Sequence, residues 1–358
     1  MSKPLRRRPA EEWDGQTIPP GEYRHIKLMV SESYSGVTVN IPLYVRRGLD
    51  PGPALFVTAA LHGNEINGTG AVRAIIRDPG FQIKAGTLIL LPVVNILGFD
   101  RHTRYLPDGR DLNRCFPGSP NGSQASRLAH VIFSEIVSRC DFGIDLHTAA
   151  MRRTNFPNVR GDMSIPGVQA LAQAFGAQYT VDGGGPTGTL RRAACGAGCP
   201  TIILEGGEIW KVEPVIVEST VRGIRNVLIH LGMLDGQPVR APQQTIIQKT
   251  KWIRADRGGF LQFHVRPGEV VREGQPLATN TSLLGQEQSV LVAPFHSLVL
   301  GMTTLPAVSP GEPVCHLGKL PVTDEAAPQA GDWLADDLRD RTIGDLATNV
   351  LVVDPDRE

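Results

Sequence analysis

Two short segments carry residues that together could hold a divalent metal. Leu61-His62-Gly63-Asn64-Glu65 directly follows the apolar run Ala54–Ala60 and sets an imidazole and a carboxylate three residues apart. Asp145-Leu146-His147-Thr148 closes a second apolar run, Phe142–Leu146, and brings a second imidazole. Neutral imidazole and carboxylate are ligands that Zn2+ accepts, and three of them with one tetrahedral position open define a catalytic site rather than a structural one. His-x-x-Glu alone arises by chance on many helices. Joined to a later Asp-x-His, with both at strand ends, it makes metal-assisted hydrolysis the chemistry to consider. A third apolar strand, Thr201-Ile202-Ile203-Leu204, runs out into Glu205-Gly206-Gly207. A carboxylate there is placed to take the proton of a metal-activated water; Glu208 is the competing carboxylate. The pair Asn113-Arg114 offers a neutral donor and a guanidinium fork, which suits bidentate capture of a carboxylate. A surface ion pair between Arg114 and Asp111 is the bland alternative.

These residues need a frame, and the periodicity supplies one. Strand-like stretches at His25–Val30, Val37–Val45, Ala54–Ala60, Thr87–Val94, Phe142–Leu146 and Pro200–Leu204 interleave with helical ones at Gly68–Arg77, Gln124–Val137, Val168–Phe175 and Val212–Leu231. Short, continuously apolar strands alternating with helices predict an α/β fold: a mixed, mostly parallel sheet covered by helices on both faces. Sites on such sheets lie at the carboxyl ends of strands, where His62, His147 and Glu205 fall. Past Gly236-Gln237-Pro238 the helical pattern stops. Val271-Arg272-Glu273-Gly274-Gln275-Pro276-Leu277 recurs weakly as Val308-Ser309-Pro310-Gly311-Glu312-Pro313-Val314, so residues 237–320 read as a second, small all-β domain of barrel-sandwich type. A biotinyl or lipoyl carrier of that shape needs a lysine between its halves. None lies between Lys251 and Lys319, and a capping role is expected instead. The remaining boundaries are a loosely attached arm at 1–23, a catalytic domain at 24–236 and an acidic tail at 321–358, with a helical turn expected at Trp333–Leu338.

Composition narrows the function class. Lys plus Arg and Asp plus Glu both number 36, so no basic excess points to nucleic acid or an anionic membrane. No apolar segment reaches the length of a membrane span, and the basic start is followed at once by acidic residues rather than by the apolar core of a signal peptide. The five cysteines are odd in number and scattered, which reads as free thiols in a cytoplasmic protein. A metal pair at Cys195 and Cys199 is the weaker alternative.

The motifs His62-Gly63-Asn64-Glu65, Thr103-Arg104-Tyr105, Asp111-Leu112-Asn113-Arg114, Asp145-Leu146-His147 and Glu205-Gly206 resemble, in order and approximate spacing, those of the succinylglutamate desuccinylase/aspartoacylase family of zinc amidohydrolases, relatives of the zinc carboxypeptidases. The resemblance runs from about residue 25 to 320. It implies one zinc per chain on His62, Glu65 and His147, with Asp111 orienting His62. It also implies Glu205 as general base and then acid, Asn113 and Arg114 holding a substrate carboxylate, and Arg104 polarising the scissile carbonyl. Leu106–Arg110 makes the Arg104-to-Asp111 interval slightly longer than the aspartoacylase pattern. The glycine-rich stretch from Gly183 to Arg192 is expected to be a substrate-facing loop, with Arg191 a candidate substrate contact and the choice between Arg191 and Arg192 left open. The partner is then a small N-acyl molecule, in a chain whose sequence leaves a homo-oligomer open. The rivals are a zinc carboxypeptidase acting on peptides and a metal- or carboxylate-binding protein without turnover. His316 and the other histidines outside these motifs take a structural reading.

Overall fold

The computed structural model describes residues 8–33, 35–241, 243–321, 338–348, 350 and 352–353. The helical turn expected from Trp333 falls, apart from Leu338, outside them. A hairpin of β1 (Glu12–Trp13) and β2 (Gln16–Thr17) precedes the long strands β3 (Tyr23–Glu32), β4 (Thr38–Arg47) and β5 (Asp50–Ala59). Next come α1 (Asn67–Arg77), β6 (Ala85–Leu91), the single turn α2 (Ile96–Phe99), α3 (Gln124–Glu135) and β7 (Phe142–His147). Then follow β8 (Arg153–Gly161), α4 (Pro166–Phe175), β9 (Tyr179–Asp182), α5 (Leu190–Gly196), β10 (Thr201–Gly207) and α6 (Pro214–His230). The β-rich section holds β11 (Thr245–Ile247), β12 (Thr250–Arg254), β13 (Gly259–Phe263), β14 (Val270–Val271), β15 (Pro276–Thr281) and β16 (Glu287–Val292). It continues with β17 (Ser297–Thr303), β18 (Ala307–Val308) and β19 (Pro313–Lys319), and α7 (Leu338–Ala347) comes last.

The main sheet runs β12-β19-β17-β8-β10-β7-β5-β6-β4-β3. Its centre, β10-β7-β5-β6, is parallel, and this part reads in sequence as unbroken apolar runs because both faces are covered. Leu55, Val57, Leu88 and Leu90 pack toward α1, α4 and α6, while Phe56, Ile89 and Leu91 point the other way, toward α3 and α5. The expectation of a mostly parallel sheet holds there and in the short β8-β9-β11 branch. On either flank β4, β3, β8, β17, β19 and β12 join antiparallel. Neighbours such as β3 and β4 are separated by only five residues, too few for the crossover that parallel pairing needs.

The β-rich section does not stand apart from this sheet. β17 pairs directly with β8, with Gly301 opposite Asn155, and β16-β15-β13-β18 form a second sheet across an apolar core of Leu261, Phe263, Leu277, Val299 and Leu317. At the other end of the chain, residues 8–22 are not loosely held. Trp13 and Ile18 are buried, Trp13 Nε1 donates to the Ala10 carbonyl at 2.8 Å, and the Arg139 guanidinium lies 4.4 Å from the Trp13 ring centre. One aromatic in a polar stretch carries no periodicity that would announce this. Among the described residues no helix is long and apolar enough to cross a membrane.

Candidate active site

Three parallel strands end side by side and each delivers one chemical group. β5 stops at Ala59, and Ala60 then turns the chain through a left-handed φ of 49°. That conformation is uncommon for a residue with a side chain and is kept where the surroundings impose it. The loop that follows presses on the turn at α2: a Cβ on Gly63 would lie 2.1 Å from the Gly98 carbonyl carbon, so only glycine fits between His62 and Asn64. β7 ends on His147, and β10 places Glu205 in register beside it.

His62, Glu65 and His147 are all buried, and their ligand-type atoms lie within 4.8 Å of one another. His62 Nδ1 is 2.6 Å from Glu65 Oε1, and His147 Nδ1 is 2.9 Å from Glu65 Oε2. The far side of each ring is held by a carboxylate. Asp111 Oδ1 is 3.2 Å from His62 Nε2, and Asp145 Oδ2 is 2.8 Å from His147 Nε2. Asp145 is fixed in turn by the Thr58 hydroxyl, which donates to it at 2.7 Å. Carboxylate-backed imidazoles converging on one point are the usual surroundings of a protein-bound metal. Burial alone would raise the Glu65 pKa, but His62 and His147 outweigh it and hold the carboxyl well below the usual range. Burial likewise lowers His147, yet Asp145 and Glu65 prevail and raise it. Burial pushes Asp111 up, and His62 with Arg104 brings it down. His62 Nδ1, buried and close to Glu65 Oε1, makes no well-aligned hydrogen bond among the described residues. Two imidazole nitrogens and a carboxylate, crowded together in a buried site, fit a tetrahedral zinc with a fourth position open. Among the described residues Cys195 and Cys199 join no such cluster.

The cluster floors a cavity of about 330 Å3 lined also by Arg104, Asn113, Arg114, Arg191 and Glu205. Such a volume suits a small molecule. Arg104 reaches both sides of the cluster: Nη2 donates to Asp111 Oδ2 at 2.9 Å and Nη1 to Glu65 Oε1 at 3.2 Å. Asn113 anchors the start of α5 by accepting from Leu190 N at 3.0 Å. Arg114 makes no ion pair with Asp111; its Nη1 donates to the Asn113 carbonyl at 2.6 Å. The stretch expected as a loop is therefore partly helical from Leu190 onward, and its Gly188, at φ +85°, sits where a Cβ would lie 2.4 Å from the Arg114 carbonyl oxygen. Glu205 Oε2 accepts from Asn155 Nδ2 at 3.1 Å, and its side chain is 16% exposed, enough to meet a ligand. Glu208 is occupied elsewhere, by Lys211 Nζ at 2.6 Å and the Thr304 hydroxyl at 2.9 Å, and does not line the cavity.

Sequence reasoning missed one wall. Arg153, Asn155 and Arg160 reach the cavity from β8, and Trp252 and His316 from the β-rich section. Trp252 and His316 sit opposite each other on β12 and β19, with rings stacked at 4.6 Å. Burial, helped by Arg160 and Arg153, pushes the His316 imidazole down to about 3, so it faces the cavity neutral at physiological pH. The only available signal was the arginine and asparagine content of β8, which hid the strand itself.

Residues 51–231 match the model of the succinylglutamate desuccinylase/aspartoacylase catalytic domain. The N-alpha-acetyl-L-2,4-diaminobutyric acid deacetylase of Halomonas elongata is 28% identical over 279 residues, 72% of this chain and 79% of that protein. A solved succinylglutamate desuccinylase/aspartoacylase from Rhodobacter sphaeroides superposes with a TM-score of 0.72 at 28% identity, covering 84% of this chain and 96% of that one. The product-bound ectoine utilization protein EutE (DoeB) of Ruegeria pomeroyi shares the fold, with a TM-score of 0.74 at 24% identity over 85% and 98% of the two chains. With the catalytic-domain match spanning half its length and the motif residues gathered at one set of strand ends, the chain belongs to the succinylglutamate desuccinylase/aspartoacylase family.

Proposed function

We propose that this protein is a zinc-dependent amidohydrolase that deacylates a small N-acylated substrate bearing a carboxylate. The observation that carries the reading is the facing of two groups across one small cavity: the His62–Glu65–His147 cluster and Glu205, held by Asn155. His62, Glu65 and His147 would hold one zinc per chain, with Asp111 and Asp145 orienting the imidazoles. Bound there, zinc supplies a Lewis acid for the scissile carbonyl and a water acidified toward neutrality. Glu205 takes a proton from the attacking water and passes it to the leaving amine. Arg104 donates to the oxygen that gains charge as the carbonyl turns tetrahedral. Asn113 and Arg114 clamp the substrate carboxylate, Arg114 being left without a competing ion pair among the described residues. The deacetylase named for the Halomonas elongata relative supports amide cleavage of this kind.

Residues 237–320 serve as the capping unit in this reading. Trp252 and His316 close one side of the cavity, which favours a compact N-acyl amino acid over the long chain a carboxypeptidase accepts. The test is hydrolysis by zinc-loaded protein of N-acetyl, N-succinyl and N-formyl amino acids alongside a C-terminally blocked and an unblocked peptide. Turnover within the N-acyl panel is expected. Release of C-terminal residues from peptides alone would make it a carboxypeptidase, and zinc binding with no turnover at all would leave a binding protein.

A further inference from the structure

Glu205 has to stand at a fixed separation from the His62–Glu65–His147 cluster, yet the sheet does not set that separation directly. β7 lies between β5, which leads into the His62–Glu65 loop, and β10, which carries Glu205. The ladder is also irregular at this point. From Glu205 to Gly207 the partner on β8 steps from Asn158 to Asn155, and Gly207 takes a left-handed φ of 73°. Slips of this kind beside a site re-aim a side chain and end regular pairing. Past Gly207 the chain leaves the sheet and returns to the segment that carries His62 and Glu65. Trp210 N donates to the Asn64 carbonyl at 2.9 Å. Asn67, two residues after Glu65 and 1% exposed, makes a reciprocal pair with Glu213. Its Nδ2 donates to Glu213 Oε2 at 2.7 Å, and its Oδ1 accepts from Glu213 N at 2.7 Å. The same Glu213 Oε2 accepts from Glu208 N at 2.9 Å, and Asn67 Nδ2 makes a longer contact with the Gly206 carbonyl at 3.4 Å. A Cβ on Gly207 would lie 2.0 Å from Glu213 Oε2 and 2.3 Å from Asn67 Nδ2, so only glycine leaves room for this clasp.

We propose that Asn67 and Glu213 are positioning residues for Glu205. Their clasp ties the exit of β10 to the segment carrying His62 and Glu65, across the end of β7, and so fixes where the Glu205 carboxylate stands relative to the cluster. The proposal rests on the deacylase reading, in which that separation decides how well Glu205 reaches the attacking water. Neither residue lines the cavity, so both act through the backbone at residues 206–208. The residue types suit the task. The Asn67 amide gives a donor to the carboxylate and an acceptor to the Glu213 N–H, and one carboxylate oxygen takes two N–H groups, which joins Asn67 to the Glu208 backbone. Asn67 opens α1 and Glu213 immediately precedes α6, and these two helices pack on each other. The separation is therefore backed by rigid elements rather than by free loops. Groups that act together in catalysis have to be held to within about 0.5 Å, and a misplacement of about an ångström costs around a hundredfold.

Asn67→Ala, Glu213→Ala and Glu213→Gln are made in the full chain, loaded with zinc and assayed on the best-cleaved member of the N-acyl amino acid panel. Both alanine variants should lose about 10- to 100-fold in kcat, with KM within about threefold of wild type and zinc content unchanged. Glu213→Gln keeps an oxygen for Asn67 Nδ2 and the Glu208 amide, so it should rescue kcat to within about threefold of wild type. Combining Asn67→Ala with Glu213→Ala should cost little beyond the slower single variant, since each breaks the same clasp. Glu213 is half-buried, so its alanine variant carries the test if the Asn67 one does not fold. A fall in Tm with kcat intact would make the clasp a structural brace and overturn the proposal. Crystal structures of metal-free wild type, Glu213→Ala and Glu213→Gln keep this separate from the fate of the deacylase reading. In Glu213→Ala the Glu205 carboxylate should move by about an ångström or more relative to His62 and His147, and in Glu213→Gln it should not. That shift supports the clasp even if no amide in the panel is cleaved; an unmoved Glu205 in Glu213→Ala refutes it whatever is cleaved.

Discussion

His316 offers a test of the cavity's charge that needs no substrate. Its imidazole lies in the cavity wall and stacks on Trp252, and burial, with Arg160 and Arg153 adding to it, holds its pKa down to about 3 from the ordinary 6.5. The folded protein therefore keeps this ring neutral, whereas the unfolded chain protonates it as pH falls below 6.5. A depressed pKa means stability that is complete above the unfolded value and drains away as pH drops toward the folded one. At about 1.4 kcal/mol per pH unit, descending from 6.5 to 4 costs about 3 kcal/mol from this residue alone. His316→Gln cannot titrate. Urea unfolding of chelator-stripped wild type and His316→Gln at pH 7 and pH 4 isolates the contribution, because the lost Trp252 stack affects the variant equally at both. Wild type should lose about 3 kcal/mol more than the variant between the two pH values. Equal losses, to within about 1 kcal/mol, would mean that His316 is not held neutral and that Arg153 and Arg160 do not concentrate positive charge around it.

Metal analysis of His62→Ala and His147→Ala should find little zinc, and Asp145→Asn should retain the site but weaken affinity about 10- to 100-fold, as loss of an imidazole's carboxylate partner does; near-wild-type zinc in both alanine variants removes the assignment. Glu205→Gln should lose about a hundredfold or more in turnover with zinc content unchanged, while Glu208→Gln, whose carboxylate is spent on Lys211 and Thr304, stays active; the reverse pattern would exchange their roles. Arg114→Lys keeps the charge but not the fork, so KM should rise about tenfold for a substrate carboxylate and little for the matching amide; identical effects on acid and amide would place Arg114 away from the carboxylate.

What the sequence made legible follows from how the sheet is covered. β5, β6, β7 and β10 are sandwiched by helices, so their apolar runs stand out and the polar residues ending them are conspicuous. His62, Glu65, His147 and Glu205 come together at those ends, and Asn113, Arg114 and Arg191 reach the same cavity. β8 was hidden because it is one of the strands that faces the cavity: Arg153, Asn155 and Arg160 break the apolar pattern that would reveal a strand. Trp252 and His316 meet only through the pairing of β12 with β19, a long-range contact with no local spacing to read. Asp145 was noticed as a companion of His147, yet its grip on Nε2 depends on ring orientation, which spacing does not encode. The parallel character of the sheet was overstated because most of its antiparallel pairs, such as β10 with β8 and β17 with β8, join segments far apart in the chain, whose relative direction no local pattern encodes.

The pairing of β17 with β8 has a consequence for how such a protein can diversify. The segment that matches the family's catalytic domain ends at residue 231, whereas Trp252 and His316 arrive from beyond it, on strands stitched to β8 through the β17–β8 and β17–β19 ladders. On the proposed function, the groups that would break the bond and part of the surface that would select the molecule are thus written in separate stretches of the sequence. On that reading, mutations in the later stretch would exchange one substrate for another while leaving the proposed catalytic residues untouched. The same ladders mean that the two stretches cannot be parted: a version ending near residue 231 would expose the edge of β8 and leave Arg153 without the Trp252 ring it rests on.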